Sequence, residues 1–195
     1  MKTYKDVVGF HGHSCPGLAL GYRVALAALR EMDMTNMSED EELMAIVEND
    51  SCAVDAVQAI TGCTFGKGNL LYRDYGKQVY TFIRRPSGKA VRISVDFVSP
   101  EETRTEKEMW RRYSHGDRSR EVLRAVHNRK AKKTRAILDA PEAKLMKIAG
   151  VSVSLPPAAR IYRSIKCSLC GEKVAEPRAR VRDGKPVCIP CYMKE

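Results

Sequence analysis

Long hydrophobic runs are missing from this 195-residue chain, and histidine and tryptophan are scarce, at four and one. No apolar stretch approaches the roughly 18 to 20 residues of a membrane-spanning helix, so none is expected. The opening MKTYKDVVGFHGH is broken throughout by polar residues and lacks the apolar centre of a secretory signal, which makes the cytoplasm the expected location. A true phosphate-binding loop is also absent. GCTFGKGN (62–69) comes near one, but that motif needs four residues between its glycines and Ser or Thr after the lysine. Here three residues separate Gly62 from Gly66, Gly68 follows Lys67, and the segment leads into a predicted strand. Neither an iron–sulfur spacing nor a pterin-binding motif occurs, so any redox role requires a larger complex.

What is present is an ordinary globular composition, 44% hydrophobic and 30% charged, long enough for one domain or one domain with a small appendage. Seven cysteines in a reducing compartment point to metal binding or catalysis more than to disulfides. The net charge of +10 is local. Residues 1–102 carry 11 Lys+Arg against 14 Asp+Glu, residues 103–135 carry 12 against 4, and residues 136–195 carry 11 against 6. A basic stripe is thus added to a mildly acidic domain.

The pattern predicts a helix over 15–32, with Pro16 at its first position and Cys15 near the cap. It predicts a strand over 42–48, then a helix over 51–62 opened by Asp50 or Ser51 and closed by Gly62. Three strands follow, in NLLYRDY, KQVYTFIRR and KAVRISVDF, the last two joined at PSGK (86–89). From Pro100 to about Ala149 the pattern is helical and charged, and VSLPPAARIYRSIK reads as an extended connector. The expected class is α+β, with a small mixed β-sheet flanked by helices over 1–158 (basic helical segment about 101–148) and a small zinc-finger domain over 159–195.

The last segment carries the strongest motif. Cys167, Cys170, Cys188 and Cys191 form C-x2-C-x17-C-x2-C, the spacing with which two tight turns present four thiolates to a tetrahedral zinc. The residues between the pairs read as a hairpin turning at Asp183-Gly184. With few large apolar side chains, so short a segment needs a staple. Four protein ligands make the predicted zinc structural.

The second motif is GFHGHSCPG (9–17). If residues 11–15 are extended, His11, His13 and Cys15 share one side of the backbone. Cys15 and Cys52 both stand at predicted helix starts, where the thiolate is favoured. His11, His13, Cys15 and Cys52 therefore form a candidate N/S site for zinc or another transition metal, with Cys52 and His13 as the candidate catalytic pair. A thiol–imidazole pair without metal, and a buried cysteine beside surface histidines, are the alternatives. Cys63 is set apart, because an unbroken helix places it roughly 16 Å from Cys52. Asp55, in the first turn of the same helix, is read as a dipole-favoured helix-start residue that could also orient a ligand.

FHGHSCPGLALGYR (10–23) and VENDSCAVDAVQAITGCTFGKGNLLYRDYGKQVYTF (47–82) together resemble the FmdE family, named for a component of molybdenum or tungsten formylmethanofuran dehydrogenase. ILDAPEAKLMKI (137–148) resembles the end of the same core. The resemblance implies a thioredoxin-like α+β core with a metal-binding active site at the His/Cys motif, and a homodimer. It also implies, in some members, a C-terminal treble-clef zinc finger, which these four cysteines match. It implies no defined reaction: an accessory component of a formylmethanofuran dehydrogenase-type complex and a metal-dependent enzyme both fit.

The stripe over 103–135 reads first as a solvated helical hairpin packed through Met109, Val122, Leu123, Val126 and Ile137. Two further readings are docking to an acidic protein and, less favoured, nucleic-acid binding, with Trp110 and Tyr113 stacking on bases. On these readings the alternative to a metal-dependent active site is a zinc-stabilised interaction module that docks through its basic helices. His115 and His127 are expected on the charged surface.

Overall fold

The computed structural model describes residues 1–158 and 160–194, in two compact units, Met1–Ala158 and Ala159–Glu195. The first unit runs α1 (Tyr4–His11), α2 (Pro16–Glu31), β1 (Leu43–Val47), α3 (Ala53–Thr61), β2 (Leu70–Tyr72), β3 (Val79–Arg84), β4 (Ala90–Val95), α4 (Arg104–Ser114), α5 (Arg120–Asp139), α6 (Glu142–Leu145) and β5 (Met146–Gly150). Its five strands lie in the order β2-β1-β3-β4-β5, with β1 and β2 parallel and the other neighbours antiparallel, so the sheet is mixed.

Burial on both faces explains the unbroken apolar run of β1, LMAIV, all of it buried. Leu43, Ala45 and Val47 join Tyr80, Phe82 and Ile93 in the main core, where α2 and α3 contribute Leu18, Val24, Leu29, Val57 and Ile60. The alternate positions Met44, Ile46, Ile83 and Ala90 form a smaller cluster on the other side of the strands. Gly21 on α2 lets the helix backbones touch: a Cβ there would fall 2.1 Å from the Ala53 carbonyl oxygen of α3. That contact fixes how the two helix starts sit beside each other.

Two elements depart from the sequence reading. Residues 4–11 are helical, started by a reciprocal Thr3–Asp6 capping box and ended by Gly12 in the left-handed region at φ 93°. Residues 146–150, read as the tail of the charged helical region, instead pair with β4 as an edge strand. Helix formers such as Met, Lys and Ala yield there to sheet pairing, which is the tertiary override of local propensity.

The basic region is an α4–α5 hairpin held from within. Thr103 and Glu106 cap α4 reciprocally. The Trp110 and Tyr113 rings stack at 5.6 Å between centroids, with the Arg129 guanidinium 4.3 Å from the Trp110 centroid and Arg118 4.0 Å from that of Tyr113. Both aromatics are thereby engaged within the hairpin, which removes them as base-stacking platforms. Met109 and Leu123 are not among the hairpin's buried residues, whereas Val122, Val126 and Ile137 are. Arg23 ties α5 to the core by donating to the carbonyls of Ile137 (2.9 Å), Leu138 (2.6 Å) and Ala140 (2.8 Å).

The second unit holds β6 (Ser164–Lys166) paired with β7 (Lys173–Ala175), a 3₁₀ turn (Glu176–Arg178), β8 (Arg180–Arg182) paired with β9 (Lys185–Val187), and α7 (Ile189–Tyr192). Asp183 and Gly184 turn the β8–β9 hairpin with φ of 51° and 72°, the backbone that Asp-Gly favours.

Candidate metal centres

In the second unit the four thiols converge: the Sγ atoms of Cys167, Cys170, Cys188 and Cys191 lie within 4.8 Å of one another. The β6–β7 turn presents the first pair, with Gly171 (φ 75°) donating its N–H to the Cys167 carbonyl at 2.9 Å. Cys188 caps α7 and Cys191 lies inside it, so the second pair comes from one helical turn. The Cys170 and Cys188 sulfurs are 3.8 Å apart. A tetrahedron with Zn–S bonds of about 2.3 Å has edges of about 3.7 Å, so these donors fit zinc in number, type and spacing. Backbone N–H groups, that of Cys188 at 3.3 Å among them, pull the Cys167 thiol down to about 6, while the crowded Cys188 and Cys170 thiols push Cys191 up to about 12. Such a cluster resists losing all its protons until a cation replaces them.

The first unit gathers His11, His13 and Cys15, whose donor atoms also lie within 4.8 Å of one another. They are not gathered by an extended strand. His11 ends α1, the chain turns at Gly12, His13 lies in the following loop, and Cys15 caps α2, its Sγ accepting the Leu18 N–H at 3.4 Å. A helix stop followed by a helix start folds the motif on itself. The histidine rings stand 4.5 Å apart, and the Tyr4 hydroxyl bonds the Ser14 hydroxyl at 3.0 Å, bracing the loop. Burial in this setting raises the Tyr4 phenol above its usual range.

His11 Nδ1 lies 2.7 Å from Asp55 Oδ2, and Nε2 lies 3.9 Å from Cys15 Sγ. A carboxylate only accepts, so the tautomer that bonds Asp55 leaves the Nε2 lone pair facing the thiol. Asp55 is thus the functional residue whose role the sequence understated. The carboxylate that orients a metal-binding imidazole is a recurrent partner in such sites.

Cys52, half-buried and capping α3, lies outside the three-residue group but beside it. Burial pushes its thiol up, and the neighbouring Cys15 thiol pushes it further, so the helix start does not deliver the lowered value expected from the sequence. Two adjacent thiols that disfavour each other's ionisation present a site that a cation relieves. The set fits zinc or a related borderline-soft metal. Cys63 is elsewhere: fully buried, it donates to the Leu43 carbonyl at 3.3 Å, and burial pushes it up to about 12. A cleft of about 430 Å³ opens against the cluster, lined by His11, Cys52, Asp55, Phe65 and Tyr72 among others. Lys67 points away from the cluster, to the Ser38 and Glu39 carbonyls.

Fold and site together define the class: an α+β domain with a His/Cys cluster where two helices begin, joined to a four-cysteine zinc-finger unit. The family model described as "FmdE, Molybdenum formylmethanofuran dehydrogenase operon" matches residues 10–147, and the chain belongs to that family. Residues 160–195 match the prokaryotic dksA/traR C4-type zinc finger. A protein of Archaeoglobus fulgidus named "Probable S-adenosyl-L-methionine-binding protein" is 32% identical over 191 residues, covering 93% of this chain and 50% of that protein. The chain therefore spans about half the length of the curated relative it matches. In fold it is similar to the crystal structure of an FmdE-like protein of tungsten formylmethanofuran dehydrogenase from Syntrophus aciditrophicus, at a TM-score of 0.57 and 21% identity, over 98% of this chain and 93% of that one. No helix among the described residues is long and apolar enough to cross a membrane.

Proposed function

We propose that the first unit is a metal-dependent domain of the FmdE type, in which His11, His13 and Cys15 hold zinc or another transition metal beside an open cleft, and that the second unit is held by a structural zinc on its four cysteines. The observation that carries this reading is the convergence of three donors around a His11 imidazole already oriented by Asp55. A metal bound there would supply Lewis acidity to a ligand in the cleft. The chain's own residues do the rest. Asp55 holds the His11 tautomer, Cys52 stands where it either completes the ligand set or acts on what enters the cleft, and the exposed His13 is placed to carry a proton.

The family name supports a formylmethanofuran dehydrogenase-type complex, and a second copy of the chain, as partners in the cytoplasm. S-adenosyl-L-methionine, which the name of the A. fulgidus relative gives as that protein's ligand, is the first small molecule to test. The cleft offers Asp50 to a sulfonium and the exposed rings of Phe65 and Tyr72 to a planar base.

Metal analysis of the anaerobically purified chain tests the reading. Two metals per chain are expected, one in Cys15→Ala and one in Cys167→Ser. A single zinc that disappears in Cys167→Ser would sink the N-terminal site.

A further inference from the structure

The α4–α5 hairpin neutralises its own acidic residues and leaves a row of cations over. Glu102 pairs with Arg129, Glu106 with Lys132, Glu108 with Arg111, and both Asp117 and Glu121 with Arg112. Among the described residues, Arg104, Lys107, Arg120, Arg124, Lys130 and Arg135 form no ion pair, and all are exposed. Arg120, Arg124 and Arg135 stand at i, i+4 and i+15 of α5, with Asn128 and Ala131 between them, on the face opposite buried Val122, Val126 and Ile137. At 1.5 Å per residue this row is about 22 Å long. Among the described residues, the carboxylate on that side without a partner is Asp139, at its far end.

We propose that this outer face of α5 is a contact surface for the phosphate backbone of nucleic acid, read without regard to sequence. Charge complementarity selects a polyanion, and the surroundings select this one. A protein partner needs an apolar centre to its interface, with aromatic anchors. Here Trp110 and Tyr113 are sealed between two arginines, and the row itself offers only Ala131. Guanidinium groups on an exposed helix face suit phosphate oxygens, which require no apolar core. With no free ring to stack on bases, single strands gain nothing over duplex.

The test uses the full chain and a fluorescent mixed-sequence 24-base-pair DNA duplex, followed by anisotropy between 50 and 200 mM salt. Binding independent of base composition is expected, with affinity falling steeply as salt rises. The variant Arg120→Gln/Arg124→Gln/Arg135→Gln, its fold checked by circular dichroism, should flatten the log–log salt slope by about 2.7 and weaken binding at 100 mM salt on the order of 100-fold. Arg178→Gln/Arg180→Gln, in the other unit, should leave both unchanged. An unaltered triple variant, a loss that follows the Arg178/Arg180 pair instead, or tighter binding to poly-glutamate than to DNA would each overturn the proposal, the last in favour of an acidic protein.

Discussion

His11, the last residue of α1, and Asp55, in the first turn of α3, meet at 2.7 Å across 44 positions of sequence. The bond ties the end of one helix to the start of another, and it decides which imidazole nitrogen remains for a metal. Asp55→Asn keeps the shape but removes the obligate acceptor, so His11 loses its tautomer control. Metal affinity at the N-terminal site should fall about 10- to 100-fold, measured by chelator competition, while the four-cysteine zinc is unaffected. Unchanged affinity would reduce the pair to a structural bond.

Gly21→Ala should destabilise the first unit by about 1–3 kcal/mol, as overpacking does, because its Cβ meets the Ala53 backbone and no side chain can move aside. Chemical denaturation reads the change. A neutral substitution would show that α2 and α3 part freely, and with them Cys15 and Cys52.

Cys63 should be inert to alkylation in the folded protein. Its thiol is pushed from 9.0 up to about 12, so at pH 8 roughly one molecule in ten thousand carries the thiolate, and the sulfur has no exposure. The sign is that of an acid held protonated: raising pH toward 12 turns reactivity on, and unfolding restores it at ordinary pH. Peptide mapping after iodoacetamide, with and without denaturant, gives the answer. Modification under native conditions would refute the buried placement.

Cys167→Ser should unfold the second unit and spare the first. Apart from its cysteines, its buried cluster holds Val187 and part of Val174, too little to fold without metal. Hydrogen exchange should show protection lost over residues 164–192 alone. Protection retained there in the metal-free variant would show a fold that needs no ion.

Much of the core was legible because its periodicities are strong. Buried β1, α2 with Pro16 at its start, and the strands of the hairpin each carry a local signal that agrees with their burial. The Thr3-x-x-Asp6 capping box was visible too, yet the histidine motif beyond it invited an extended reading, and Gly12 as a helix stop is what brings His11 round to Cys15. The strand 146–150 had no local signal to outweigh its helix formers. The His11–Asp55 bond was illegible in principle, since it depends on where α1 and α3 lie against each other. Conversely, the spacing of the four C-terminal cysteines, imposed by the reach of one tight turn, was enough to bring them together in expectation and in structure alike.

Trp110 is the single tryptophan of the chain, and it lies between the Tyr113 ring and the Arg129 guanidinium. The protein's long-wavelength emission therefore comes from one place, far along the sequence from either cysteine site. A guanidinium against an indole perturbs that emission, so its intensity and colour follow the hairpin rather than the core. An unfolding curve recorded in that channel reports when the basic arm loosens, and the peptide-bond signal reports when the sheet does. Comparing the two traces in a single titration shows whether the arm is part of the domain's cooperative unit or an independent limb.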